Sequence, residues 1–277
     1  MLTRVLSLCG ASLPERLLGH SEDNPTGYWE SLDAIDINDA FLFRHGATWY
    51  DPTLRLQGEV PLCDDDREAY VREIGSFLER CPGGPLLVIK DPRIAALSDF
   101  WFEASLRGGF GVKIVVPVRH PDEVALSLAA RGGASPELCS VLWLKYNLLA
   151  ERKSRGFPRV FVEYANVLAD WRRETRRIAD RLAIELRIDD EAAVDAYVDR
   201  DLRRQRRRGE ASNHFGEEWT ARVYAALSTA ARDAPVDTEA MDAVFAAFSA
   251  SERTFRLSLD DFRAKFGPPP SDGSEPA

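Results

Sequence analysis

Three short runs of aliphatic and β-branched residues constrain the fold most strongly, because each is too short for a helix and apolar on both faces. They are PLLVIK (85–90), VKIVVPVR (112–119) and RVFVEY (159–164). Strands of this kind are typical of a parallel sheet that helices cover on both sides. Long helical patterns separate the three runs. The order therefore predicts βαβ units and an α/β fold with a doubly wound parallel sheet.

The rest of the chain has helical patterns. The first ten residues, MLTRVLSLCG, place apolar side chains on one helical face, and Gly10 stands where a helix end favours a positive φ. Helical patterns also fill the C-terminal third. The final stretch, GPPPSDGSEPA, is rich in Pro and Ser, so we expect a disordered tail over 267–277 and one α/β domain over 1–266.

Composition excludes several classes of protein. The net charge of −9 argues against a general nucleic-acid binder, and the longest apolar runs are far shorter than a membrane span. No signal peptide is visible. The four Cys residues are scattered without a pairing motif, and the four His residues are too dispersed for a metal site or a catalytic triad. We therefore expect a cytoplasmic protein with reduced thiols and without a metal ion.

The segment VRHPDEVALSLAARGG carries the most local information. Arg119 ends a predicted strand, so it should lie at the carboxyl edge of the sheet, where open α/β folds bind ligands. Ser127 follows two helical turns later and can face the same point. A guanidinium beside a hydroxyl suits a monophosphate. The alternative is that Arg119 pairs with a neighbouring carboxylate while Ser127 packs.

Two further motifs offer polar groups at predicted strand or helix ends. Lys90 ends the run PLLVIK and could stabilise negative charge on a transferring group, or it could be a solvated lysine. Glu30 follows the turn DNPTGYW and could act as a general base, or Glu30 and Ser31 could cap the next helix. Arg93 could pair with Asp91 or with an acid later in the chain.

An Arg-rich segment, RRQRRRGEASNHF, lies in the C-terminal third. Its Gly could bend the chain around an anion, whereas an Arg run is more often a solvated helix face.

Four motifs in series resemble the bacterial branch of the sulfotransferase family, in order and at matching spacing up to about residue 210. They are NPTGYWES (24–31), VIKDPRI (88–94), VRHPDEVALSLAAR (118–131) and VEYANVLADWR (162–172). The resemblance implies a fold like that of P-loop nucleotide hydrolases. It also implies transfer of a sulfuryl group from 3′-phosphoadenosine 5′-phosphosulfate to a hydroxyl, with a carbohydrate or secondary metabolite as the acceptor.

The resemblance also assigns roles to individual residues. Arg119 and Ser127 would bind the 3′-phosphate of the donor, and Tyr164 would lie near its adenine. Lys90 would stand near the sulfuryl group, and Glu30 is the candidate base. Three further residues would close over the 3′-phosphate: Arg207, Arg208 and Gly209.

The sequence departs from the family pattern at its start. MLTRVLSLCGASLP resembles the helix that follows the family's first strand and 5′-phosphosulfate loop, so we expect the 277 residues as written to lack both of those parts. A start codon placed too far downstream would explain this, as would a truncated protein. We expect little turnover from the 277 residues as written.

Two other functions stay open. A non-catalytic relative of the sulfotransferases would bind a nucleotide or a partner, and a small-molecule kinase would need a Walker loop that the sequence does not show.

Overall fold

The computed structural model describes residues 1–22, 24–57, 63–198, 211–212, 214 and 218–266. Within them the chain is mixed α/β and mostly helical. Its helices are α1 (Leu2–Leu8), α2 (Leu32–Arg44), α3 (Asp64–Arg80), α4 (Ser98–Arg107), α5 (Pro121–Gly132), α6 (Pro136–Lys153), α7 (Tyr164–Ala169), α8 (Trp171–Leu182), α9 (Glu191–Tyr197), α10 (Trp219–Ala230) and α11 (Thr238–Phe266). Its strands are β1 (Ile114–Val118) and β2 (Arg159–Glu163). The expected tail over 267–277 falls outside these residues.

The two strands form a parallel sheet, as the sequence predicts. Val116 of β1 lies opposite Phe161 of β2, and the register runs without a bulge over five pairs. Helices cover both faces. Val116, Val118 and Phe161 pack into an apolar cluster with α6, α10 and α11. Val160 and Val162 point to the other side, into a cluster with α1 and α8.

The prediction of a strand over 85–90 is wrong for the residues that the structure describes. This segment forms a single parallel bridge, in which Ser12 donates to the carbonyl of Leu86 and accepts from the amide of Val88. Ser12 belongs to no strand, so the pairing stops after one residue. An apolar β-branched sequence is not enough for a strand, because a ladder also needs a paired backbone beside it.

Helix ends follow the signals in the sequence. Helix α5 begins at Pro121, and the His120 Nδ1 accepts a hydrogen bond of 3.2 Å from the Asp122 amide. Helix α1 ends before Gly10, whose φ is +90°. The sequence NVLADWRRETRRIADRLAI (166–184) has the pattern of one continuous helix, but the structure divides it at Asp170. The Asp170 carboxylate accepts from the Arg173 amide and so starts α8 as a separate helix.

A third apolar cluster joins α2, α3 and α4 and lies beside the segment 86–89. All four cysteines are among the described residues, where each is a free thiol. Burial raises the pKa of Cys9 to about 11. Among the helices that the structure describes, none has both the length and the apolar character needed to cross a bilayer.

Candidate functional site

The structure brings Glu30 and Lys90 together, although 60 positions separate them in the sequence. The Lys90 Nζ contacts the Glu30 Oε1 in a hydrogen-bonded ion pair. The Glu30 side chain is 10% exposed and that of Lys90 is 39% exposed, so the pair stands at the edge of the protein interior. The two candidate catalytic groups are therefore neighbours.

Local backbone geometry places Glu30. Ser31 is the N-cap of α2 and its hydroxyl accepts from the Ala34 amide, which confirms the helix-capping alternative for Ser31. Just before Glu30, Trp29 has a φ of +58°, which is unusual for a residue with a bulky side chain. The Trp29 indole donates to the Thr26 carbonyl at 2.7 Å, and this contact fixes the turn.

Arg93 holds the other side of Glu30. Its guanidinium contacts both oxygens of Asp39, at 2.6 and 3.0 Å, and it donates to Asp91 at 3.0 Å. One Arg93 nitrogen lies 4.0 Å from the Glu30 Oε2. Burial lowers the pKa of Arg93, but hydrogen bonds and charges from Asp39 and Asp91 outweigh it, and the pKa is raised overall.

Arg119 directly follows β1, at the carboxyl end of the sheet, as predicted. Its Nε donates to the Glu123 Oε2 at 3.1 Å, so the pairing with a neighbouring carboxylate is real. Its guanidinium also lies 4.6 Å from the centre of the Tyr164 ring, where a cation–π contact is favourable. Tyr164 is the first residue of α7 rather than the last of β2. The structure thus joins two residues that the resemblance assigns to the donor nucleotide.

The structure describes fewer contacts for the other predicted site residues. Ser127 lies half-buried within α5, eight positions after Arg119. Arg207, Arg208 and Gly209 lie outside the described residues.

The amino group of Met1 has a pKa that is lowered to about 6, mainly by burial and further by the positive charges of Lys90 and Arg119. Each of these two cations is itself paired with a carboxylate, Lys90 with Glu30 and Arg119 with Glu123.

Two residues hold Arg119 in place, of which sequence reasoning anticipated the first only as an unnamed neighbouring carboxylate and missed the second. Glu123 is fully buried, and its spacing of four positions from Arg119 on a helix start is a signal that could have identified the pair. The Trp143 indole donates to the Arg119 carbonyl at 3.1 Å from α6, 24 positions away. No pattern in the sequence indicates that second contact.

The described residues contain no group of three or more His, Cys, Asp or Glu side chains arranged to hold a metal ion. Comparison of the chain with protein-family models, with curated proteins and with solved structures finds no match in any of the three.

Proposed function

We propose that this protein is a sulfotransferase that takes a sulfuryl group from 3′-phosphoadenosine 5′-phosphosulfate and transfers it to a hydroxyl of a carbohydrate or secondary-metabolite acceptor. The observation that carries the proposal is a pair of contacts: Lys90 pairs with Glu30, and the Arg119 guanidinium lies 4.6 Å from the centre of the Tyr164 ring. Each of these four residues comes from one of the four motifs that resemble the family.

Arg119 has the chemistry to bind the 3′-phosphate. A guanidinium carries five N–H donors, and the contact with Glu123 is made through Nε. One such contact leaves donors for a phosphate, which Arg binds through parallel hydrogen bonds. Tyr164 offers its ring beside this position, as a site near the adenine requires.

Glu30 and Lys90 divide the chemical step between them. Glu30 accepts the proton of the acceptor hydroxyl, whose oxygen then forms a bond to sulfur. The bond between sulfur and the bridging oxygen of the 5′-phosphate breaks, and its electron pair stays on that phosphate. Lys90 stabilises the charge that develops there. The products are a sulfate ester and 3′-phosphoadenosine 5′-phosphate.

A Glu30→Gln variant tests this division of roles. It is made in a chain that also carries the family's first strand and 5′-phosphosulfate loop, because little turnover is expected from the 277 residues as written. We expect turnover to fall by about 100-fold or more, the usual loss on removal of a general base, with nucleotide affinity nearly unchanged. The measurement is the release of 3′-phosphoadenosine 5′-phosphate from the donor in the presence of a panel of sugars and phenols. Glu22→Gln, an exposed carboxylate in the preceding turn, is the matched control and should keep the parent rate.

One observation favours a second candidate, a non-catalytic nucleotide-binding protein. Glu30 and Lys90 pair with each other, so the proposed base and the proposed stabilising cation are each already engaged. Bound nucleotide without any product would support this candidate, and product formed equally well by Glu30→Gln would contradict the role of Glu30.

A further inference from the structure

The last helix carries an apolar stripe that continues beyond the core. In its first half, Met241, Val244 and Phe248 are buried against α6 and α10. The same spacing of three and four positions continues on the same face in the second half, at Phe255, Leu259, Phe262 and Phe266. These four side chains are 77%, 46%, 56% and 74% exposed, respectively.

A continuous exposed stripe is unusual on the surface of a monomer. Single exposed apolar residues are normal, but aligned aromatic residues over three helical turns mark a contact surface. The alternation of four and three positions is the spacing by which two helices pack along a seam. We call residues 251–266 of α11 the distal segment.

We propose that two copies of this chain pair through their distal segments, packed antiparallel along the stripe of Phe255, Leu259, Phe262 and Phe266. The inference does not depend on the proposed function.

The stripe is complementary to itself when the helices run in opposite directions. Phe255 of one copy then lies opposite Phe266 of the other, and Leu259 lies opposite Phe262. All four layers are apolar, and the two copies contribute identical surfaces, as a twofold interface requires. A parallel arrangement would instead bring both protein bodies to the same end of the helix pair, where they would compete for space.

The charges beside the stripe fit the same arrangement. Arg256 pairs with Glu252 and Lys265 pairs with Asp261, each within the same helix. Counting all of residues 251–266, three acidic and four basic residues leave a net charge of +1, so the segment offers no strong positive field for an acidic partner. A second copy of the chain can cover the stripe. The positive charges of Arg256 and Lys265 keep their acidic partners in the same helix when the two copies associate.

The area available is enough for a specific but modest interface. A Phe side chain buries roughly 150–250 Å² in a protein, so the exposed parts of these four residues offer about 500 Å² per copy. Both copies together would bury about 1,000 Å², near the lower limit for specific association. We therefore expect a dimer that dissociates on dilution.

Sedimentation velocity of the full chain over a range of concentrations tests the proposal. The mass should rise from 31.0 kDa towards twice that value as the concentration increases. A reducing agent belongs in every sample, because Cys63 is an exposed thiol. Phe262→Glu places a charge in the seam, and we expect it to weaken association by about 100-fold or more. Position 262 is exposed, so the variant should fold, which circular dichroism checks.

Leu257→Glu is the matched control. Leu257 is 49% exposed on the same segment but lies on the opposite side of the helix from the stripe, so this variant should dimerise like the parent chain. Three results would overturn the proposal: a monomer at every concentration, a dimer unaffected by Phe262→Glu, or equal losses from the two variants. A monomer that binds vesicles of anionic phospholipid through the stripe would likewise overturn it and assign the surface to a membrane.

Discussion

Buried charges in this protein are held by specific partners. Glu123, Glu151 and Glu174 are each almost fully buried, and each contacts at least one arginine. A buried carboxylate without such a partner would be strongly destabilising. Lys145 is a buried charge of another kind, because its Nζ donates to the main-chain carbonyl of Asp51 at 2.7 Å.

Lys145 should make stability depend on pH. Burial lowers its pKa from 10.5 to about 8, so between these values the unfolded chain binds more protons than the folded one. The free energy of unfolding therefore rises with pH in this window, by about 1–2 kcal/mol between pH 8 and pH 10. Urea unfolding of the parent chain and of Lys145→Met at several pH values measures the effect as a difference between the two proteins.

The difference in pH dependence between the parent chain and Lys145→Met isolates the contribution of Lys145 from those of other titrating groups. Burial also raises the pKa of Tyr70 and of Cys9, and the stability that these groups contribute is lost at high pH in both proteins alike. Lys113→Met removes an exposed lysine and should keep the pH dependence of the parent. An unchanged slope in Lys145→Met would show that Lys145 is not the source.

At the scale of elements, the sequence predicted most helices and two strands within a few residues. Periodicity and capping residues are local, so β1, β2 and the start of α5 at Pro121 could be predicted from short segments. The segment 85–90 could not, because its pairing depends on Ser12, which comes from a distant part of the chain. The division of α7 from α8 depends on a side-chain cap at Asp170, a local signal that the helical periodicity obscured.

The N-cap of α6 gives a direct test of this local control. The hydroxyl of Ser135 accepts from the Leu138 amide at 3.2 Å. Ser135→Ala should lower the free energy of unfolding by about 1 kcal/mol, because one amide at the helix start loses its partner. Chemical denaturation measures the change. Ser135→Asp, which restores an accepting oxygen at this exposed position, should recover most of the loss, and equal losses in both variants would contradict the capping role.

At the scale of the whole molecule, the site combines parts of the chain that only the tertiary fold brings together. Glu30 precedes α2, Lys90 follows the segment 86–89, and Arg119 follows β1. The sequence indicated these residues singly, and the family resemblance implied that they share a site. The sequence could not indicate the hydrogen bond from Trp143 to Arg119 or the pairing of Glu30 with Lys90. Both contacts depend on how the apolar clusters pack.

The central claim is that Arg119 and its surroundings recognise a 3′-phosphate on an adenosine nucleotide. Removal of Arg119 alone would take a positive charge away from the buried Glu123, so the informative variant is the double substitution Arg119→Met with Glu123→Gln. Glu123→Gln alone is its matched control. Because charge-assisted hydrogen bonds contribute about 1.5–3 kcal/mol each, the 3′-phosphate should improve affinity by roughly 10-fold or more.

The most direct measurement is isothermal titration of the chain with 3′-phosphoadenosine 5′-phosphate and, separately, with adenosine 5′-phosphate. We predict that the parent chain and Glu123→Gln bind the first nucleotide more tightly, and that the double variant binds both equally. Equal affinities in the parent chain, or no binding of either nucleotide, would contradict the proposed site.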